Sequence, residues 1–226
     1  MNATTQAQKE TPILEVKNLK MHFPLTKGLL NKQYGVVKAV DDVSFTLQAG
    51  KTLGLVGESG CGKTTIGKCI LQVFHPTSGE ILYKGTDLLK ANDKELKAHR
   101  REIQITYLFV AHDLAVVRHI ADVVAVMYLG HIMEMMESVQ LYKEPLHPYT
   151  QALLSAIPIV DYYAEQQRNR IVLSGEVPSP IHAPKGCPFN PRCPYATERC
   201  RQEMPALQDA GNGHLVACHN VKEVNQ

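Results

Sequence analysis

The chain has 226 residues, room for one domain with a sizeable core and a small appendage. Its 24 basic and 22 acidic residues leave a formal charge of +2, so no broad field points to nucleic acid or an anionic membrane as partner. No apolar run approaches the ~18 residues a bilayer crossing needs, and the polar stretch Met1–Pro12 holds no signal-peptide core, which makes this a cytosolic chain whose six cysteines stay reduced.

Residues 1–12 read as a disordered tail. From Ile13 the alternation of Ile13, Glu15 and Lys17 against Leu14 and Val16, followed by Leu19, predicts a strand, and Val36–Leu47 predicts more strand with a turn at Asp41-Asp42. Between them Pro24–Tyr34 has the composition of a loop insertion. An antiparallel layer thus leads into the apolar strand Leu53–Val56.

Directly after that strand comes Gly57-Glu58-Ser59-Gly60-Cys61-Gly62-Lys63-Thr64-Thr65, and after it a helical pattern through Ile66, Ile70 and Val73. Gly, four residues, then Gly-Lys-Thr between a strand and a helix is a phosphate-binding loop: glycines let backbone N–H groups turn onto an anion, and the helix adds its positive end. Lys63 is placed for the β- and γ-phosphates, and the Thr64 hydroxyl for a magnesium ion. The bland alternative, a glycine-rich turn, does not account for the flanking strand and helix.

Pro76–Gly79 then predicts a turn, Glu80–Tyr83 a short strand and Asp93–Arg101 a charged helix. Ile103–Ala111 is nearly continuously apolar, the pattern of a strand buried on both faces of a parallel sheet, with His112-Asp113 at its carboxyl end, where such sheets bind ligands. A helix with Leu114, Val117, Ile120 and Ala121 on one face follows, then a strand Val123–Tyr128, a turn at Gly130 and a strand Ile132–Met135. Met133, Met135 and Met136 read as packing. Two short helices are expected over Ser138–Ala156, and the prolines of Pro158–Pro184 mark an extended linker.

These residues together resemble the ATP-binding subunits of ABC importers for dipeptides and oligopeptides. The resemblance rests on Lys38–Phe45, the loop Gly57–Thr65, Ala111–Val117, Met127–Gly130, Pro145–Thr150 and Gly175–Pro180, the last two marking this subfamily. It implies an α/β fold, a P-loop core with an antiparallel β layer before it and a Cys-containing tail behind, divided into a nucleotide-binding unit over residues 13–157 and an extension over 158–226. It further implies ATP and Mg2+ as ligands, a head-to-tail dimer with a second nucleotide-binding subunit, transmembrane permease subunits as partners, no nucleic acid, and a place on the inner face of the cell membrane. His112 matches the histidine that senses the γ-phosphate. Phe23 matches the aromatic that stacks on adenine, with Tyr34 as the alternative.

The same resemblance exposes a gap. In the family the strand matching Arg101–Ile105 continues into a glutamine loop, a helical subdomain with the signature sequence, and a strand ending in the magnesium-binding Asp and catalytic Glu; here Ile105 runs straight into Thr106-Tyr107. Gln104 does not match the glutamine-loop residue, Leu173–Glu176 imitates the signature from within the tail, and Asp113 reads as a helix N-cap before a metal ligand. The expectation is nucleotide binding with negligible hydrolysis, or alternatively a non-catalytic interaction protein, and apolar surface left exposed where a central strand is missing. A small P-loop kinase is a third reading, without a visible Arg-rich lid.

Cys187, Cys193, Cys200 and Cys218 close the chain in a proline-rich segment poor in core residues. Their spacing is not the paired Cys-x-x-Cys of a zinc ribbon, yet four thiolates there suggest a metal centre that staples the segment. The family tail has cysteines at these positions, which in some members hold a four-iron iron-sulfur cluster, so that cluster ranks before zinc. Cys61 and Cys69 read as packing residues.

Overall fold

The computed structural model describes residues 12–27, 32–91, 107–111, 114–157 and 170–225. The expectations for residues 1–11, for the charged helix over 93–101, for Ile103–Thr106, for Gln104 and for His112-Asp113 lie outside them.

Two sheets organise the chain. In the first, β1 (Leu14–Lys27), β2 (Lys32–Leu47), β4 (Ser78–Tyr83) and β5 (Thr86–Asp87) pair antiparallel in the order β2-β1-β4-β5. The expected loop over Pro24–Tyr34 is strand up to Lys27 and again from Lys32, because the β1–β2 hairpin keeps pairing through Phe23↔Val37 and Leu25↔Gly35. No turn breaks β2 at Asp41-Asp42. The register steps from Leu19↔Val43 to Met21↔Val40, so an extra residue bulges there, with Asp42 in the left-handed region (φ 60°) and the Asn18 amide donating to its carboxylate.

The second sheet runs β6-β3-β7-β8-β10-β9, built from β3 (Thr52–Val56), β6 (Tyr107–Val110), β7 (Val123–Tyr128), β8 (His131–Glu137), β9 (Gln208–Asp209) and β10 (Leu215–Val216). Both neighbours of β3 are parallel to it: Leu55 faces Val110 on one side and Ala125 on the other. A turn with Leu129 and Gly130 at positive φ folds β8 back on β7, and β10 adds the tail through Leu215↔Met135.

Alternation along the middle strands divides the core. Leu53, Leu55, Ala125 and Met127 pack toward the antiparallel layer with Val43, Phe45, Ile66 and Ile81, whereas Val56, Val124, Val126 and Tyr128 pack on the opposite face with Leu114, Val117, Leu141 and Phe189. Around them lie α1 (Lys63–Ile70), α2 (Leu114–Ile120), α3 (Ser138–Lys143), α4 (Pro148–Ser155), α5 (Glu198–Gln202) and α6 (Val221–Val224). Ile120, expected on the inner face of its helix, is 47% exposed, and Leu114, Val117 and Ala121 carry the packing.

The strand before His112 departs from its apolar pattern. β6 is an edge strand of the sheet among the described residues, and Tyr107 is 57% and Val110 38% exposed. Its Leu108 and Val110 line an apolar cleft of about 360 Å3 with Gly67, Ile70 and Leu71. Exposed apolar surface beside the loop strand is thus present, as expected from the missing segment.

Candidate functional site

Gly57–Thr65 curls from the end of β3 into α1, and two of its glycines are dictated by geometry. Gly57 has φ 144° and a Cβ there would lie 2.2 Å from the Met127 carbonyl oxygen; Gly62 has φ 105° and a Cβ would lie 2.2 Å from that of Ala39. Only a residue without a side chain lets the loop sit this close to β7 and β2. The Gly130 N–H donates to Cys61 O and the Asp41 N–H to Gly130 O, both at 3.0 Å, so the β7–β8 turn links the loop to the antiparallel layer.

The Lys63 ammonium is buried and donates to Gly57 O at 2.8 Å and Glu58 O at 2.9 Å, with Cys61 Sγ at 3.3 Å. It is held at the centre of the loop. A cleft of about 370 Å3 opens beside it, lined by Ser59, Gly60, Cys61, Gly62, Lys63, Thr64 and Thr65 and by Val110 and Ala111 at the carboxyl end of β6. Thr64 is exposed at it, whereas burial pushes the Cys61 thiol up despite the nearby Lys63. Phe23 lies off this cleft on β1, half-buried, its ring edge-on to Phe74 at 5.5 Å; Tyr34 is 65% exposed.

Behind the loop stands a layer the sequence reading did not foresee. The Glu58 N–H donates to the Tyr149 hydroxyl at 3.0 Å, and the Glu58 carboxylate accepts from Arg192 Nη1 at 2.9 and 3.2 Å. Tyr149 is wholly buried among Tyr128 and Phe189, whose ring centroids stand 4.8 and 5.4 Å from its own, and burial raises its phenol above the usual range. Below them the buried Glu134 carboxylate accepts from the Leu146 and His147 N–H groups and pairs with His214 Nε2 at 2.7 Å. His147 caps α4 by accepting the Tyr149 N–H at Nδ1, and burial holds its pKa down to about 4 although Glu134 opposes this. The signal for these residues was present in Pro145–Thr150 and in the Phe and Arg set between Cys187 and Cys193, but spacing alone gave them no partner.

The four tail cysteines are free thiols in the extension. Cys187 and Cys200 are buried and joined through Cys187 N–H to Cys200 O at 2.8 Å; Cys193 and Cys218 are half-buried. Burial first, then the charges of the other tail cysteines, pushes Cys187 up to about 12 and Cys218 to about 11. Among the described residues, no three His, Cys, Asp or Glu side chains are grouped so as to hold a metal ion.

The family description "Oligopeptide/dipeptide transporter, C-terminal region" matches residues 133–200, from β8 through the third tail cysteine. Over nearly its whole length the chain is 34% identical to the oligopeptide transport ATP-binding protein AppF of Bacillus subtilis (strain 168), an alignment covering 95% of this chain and 99% of that protein. The chain belongs to the ATP-binding proteins of oligopeptide and dipeptide ABC transport. Other members of this family are similar to the same degree: the dipeptide transport ATP-binding proteins DppF of Haemophilus influenzae at 33% identity, covering 96% of this chain and 99% of that one, and of Escherichia coli K12 at 32%, covering 98% of each. The AppF alignment runs over 326 positions, 100 more than this chain has residues, so at least that many positions of this family's sequence have no counterpart here. A solved ATP-binding cassette, dimeric in a post-hydrolysis state bound to ADP and Pi, is similar at 12% identity with a TM-score of 0.46, covering 55% of this chain and 98% of that one. No helix among the described residues is long and apolar enough to cross a membrane.

Proposed function

We propose that this chain binds MgATP at Gly57–Thr65 and serves as the ATP-binding subunit of a dipeptide or oligopeptide importer, on the inner face of the membrane. Its partners in this reading are permease subunits and a second nucleotide-binding subunit opposed head to tail. The nucleotide-binding unit spans residues 13–157, and the extension 158–226 follows it. The carrying observation is the loop itself: a buried Lys63 held by the Gly57 and Glu58 carbonyls in a glycine-built turn between β3 and α1, beside a cleft of about 370 Å3 that the loop lines. Lys63 would hold the β- and γ-phosphates and Thr64 the magnesium ion, His112 would sense the γ-phosphate, and Phe23 would stack on the base. In this reading hydrolysis is negligible, because the segment that carries the magnesium-binding Asp and catalytic Glu in the family has no counterpart where Ile105 runs into Thr106.

Thermal unfolding with and without MgATP tests the binding. A ligand at a hundredfold excess over Kd stabilises by about 2.7 kcal/mol, a rise of roughly 5–10 °C for a chain of this size. The parent chain should show the rise and Lys63→Ala should not; a parent midpoint that MgATP leaves unmoved overturns the reading.

The finer reading of the tail is an iron-sulfur cluster held by Cys187, Cys193, Cys200 and Cys218. Its support is the donor set, four cysteines with free thiols in one short proline-rich segment, although no three of them are grouped so as to hold a metal among the described residues. When bound, the cluster would staple the tail; no step of nucleotide chemistry passes through it. Anaerobic reconstitution with ferrous iron and sulfide should give the visible absorption of a cluster in the parent chain and lose it in Cys187→Ser. A colourless parent chain rules it out.

A further inference from the structure

The second residue of the phosphate loop is a carboxylate, which is an awkward neighbour for a polyphosphate. Glu58 is fastened at three points: its N–H to Tyr149 Oη, its carbonyl to Lys63 Nζ, and its carboxylate to Arg192 Nη1. Arg192 does not belong to the loop. It sits 134 positions away, in the single turn Asn190–Arg192 between two of the tail cysteines, 9% exposed, with its guanidinium also reaching the Tyr128 hydroxyl at 3.4 Å. Phe189, three residues before it in the sequence and accepting the Arg192 N–H at 3.0 Å, is packed against Tyr128, Tyr149 and His147, so the arginine is delivered from a fixed base.

We infer that Arg192 is a positioning residue for the nucleotide: by neutralising and holding Glu58 it removes a negative charge from the loop, and it makes phosphate affinity depend on the folded cysteine tail. The inference rests on the nucleotide-binding reading above. Two features carry it. The pair is only partly exposed, so its charges are not screened as surface pairs are. And the contact runs from the tail to the loop directly, with no intervening residue. By linkage, whatever loosens the Cys187–Cys200 segment lowers phosphate affinity, and bound nucleotide in turn steadies that segment.

Charge gives the test its signs. Full-length chains are titrated with MgATP, MgADP and AMP by calorimetry at low salt. Arg192→Gln uncovers the Glu58 charge and should weaken MgATP about tenfold, MgADP less and AMP least, as a charge effect over a few ångströms requires. Glu58→Gln uncovers the arginine instead and should tighten MgATP. The double variant, a neutral pair of similar shape, should return near the parent, and the grading of the Arg192→Gln loss from MgATP through MgADP to AMP is what a merely structural role for Arg192 would not produce. Because Arg192→Gln alone leaves a half-buried carboxylate unpaired and could fail to fold, Glu58→Gln and the double variant keep the inference falsifiable: MgATP tightened in Glu58→Gln with near-parent affinity in the double variant supports it, and Glu58→Gln binding as the parent does overturns it. Equal losses for all three nucleotides, or a double variant as weak as Arg192→Gln, overturn it. A parent chain that binds none of the three nucleotides overturns the binding reading itself, and this inference with it.

Discussion

At the scale of single residues, the loop is governed by what it cannot contain. Gly57 and Gly62 are fixed by carbonyl oxygens 2.2 Å from where a side chain would begin, and Lys63 is held by the carbonyls of Gly57 and Glu58. His147 shows the complementary case, a titratable group kept neutral. Burial holds its pKa near 4, against an ordinary 6.5, so as pH falls the unfolded chain takes up this proton before the folded chain does. Stability is therefore complete above about pH 6.5, declines through the window down to about 4, and levels off below it. The slope approaches 1.4 kcal/mol per pH unit, and the full loss is on the order of 3 kcal/mol. Urea unfolding of the parent chain and of His147→Asn between pH 7 and 4.5 should show the shallower pH slope in the variant; equal slopes would refute the assignment of this acid sensitivity to His147.

At the scale of elements, much was legible in the sequence and the misses have a common cause. The loop, the strand before it, the β7–β8 hairpin and the two helices broken by Pro145 and Pro148 follow from local signals: glycine spacing, two-residue alternation and proline. The hairpin β1–β2 was misread because Pro24 and Gly35 lie at strand positions whose partner decides their conformation, and that partner is a dozen residues away. β6 was misread because an apolar run looks the same at an edge as in the middle of a sheet; only its neighbours decide which, and here β3 alone pairs with it among the described residues. The candidate site divides in the same way. Lys63 and Thr64 are where motif spacing puts them, but Tyr149 and Arg192 reach Glu58 across 91 and 134 positions, a distance over which no periodicity in a single sequence carries information.

At the scale of the whole molecule, two layers and a tail converge on one loop. The antiparallel sheet meets it through Ala39 and the turn at Gly130, the parallel strands carry it, and the tail braces it from behind through Phe189 and Arg192. Binding and turnover separate at this scale. Holding phosphate needs only the loop and its supports, whereas hydrolysis also needs a fixed metal and an oriented water. Phosphate release measured under steady turnover should thus be indistinguishable between the parent chain and Lys63→Ala, even where MgATP raises the melting midpoint of the parent alone. A rate that Lys63→Ala abolishes would refute this and require a catalytic carboxylate from outside the described residues.

The place of β6 bears on how such a chain can arise. Its pairing with β3 is parallel, in register from Thr52↔Tyr107 to Leu55↔Val110, and continues with the Ala111 N–H donating to Leu55 O. A parallel ladder reads only backbone, so it accepts any strand of the right direction and length, whatever its side chains were first selected to touch. An excision upstream of such a strand can be healed at the backbone in one event, leaving the side chains to be reconciled afterwards by ordinary point substitution. The exposed Tyr107 and Val110 are where that later refinement would first be visible.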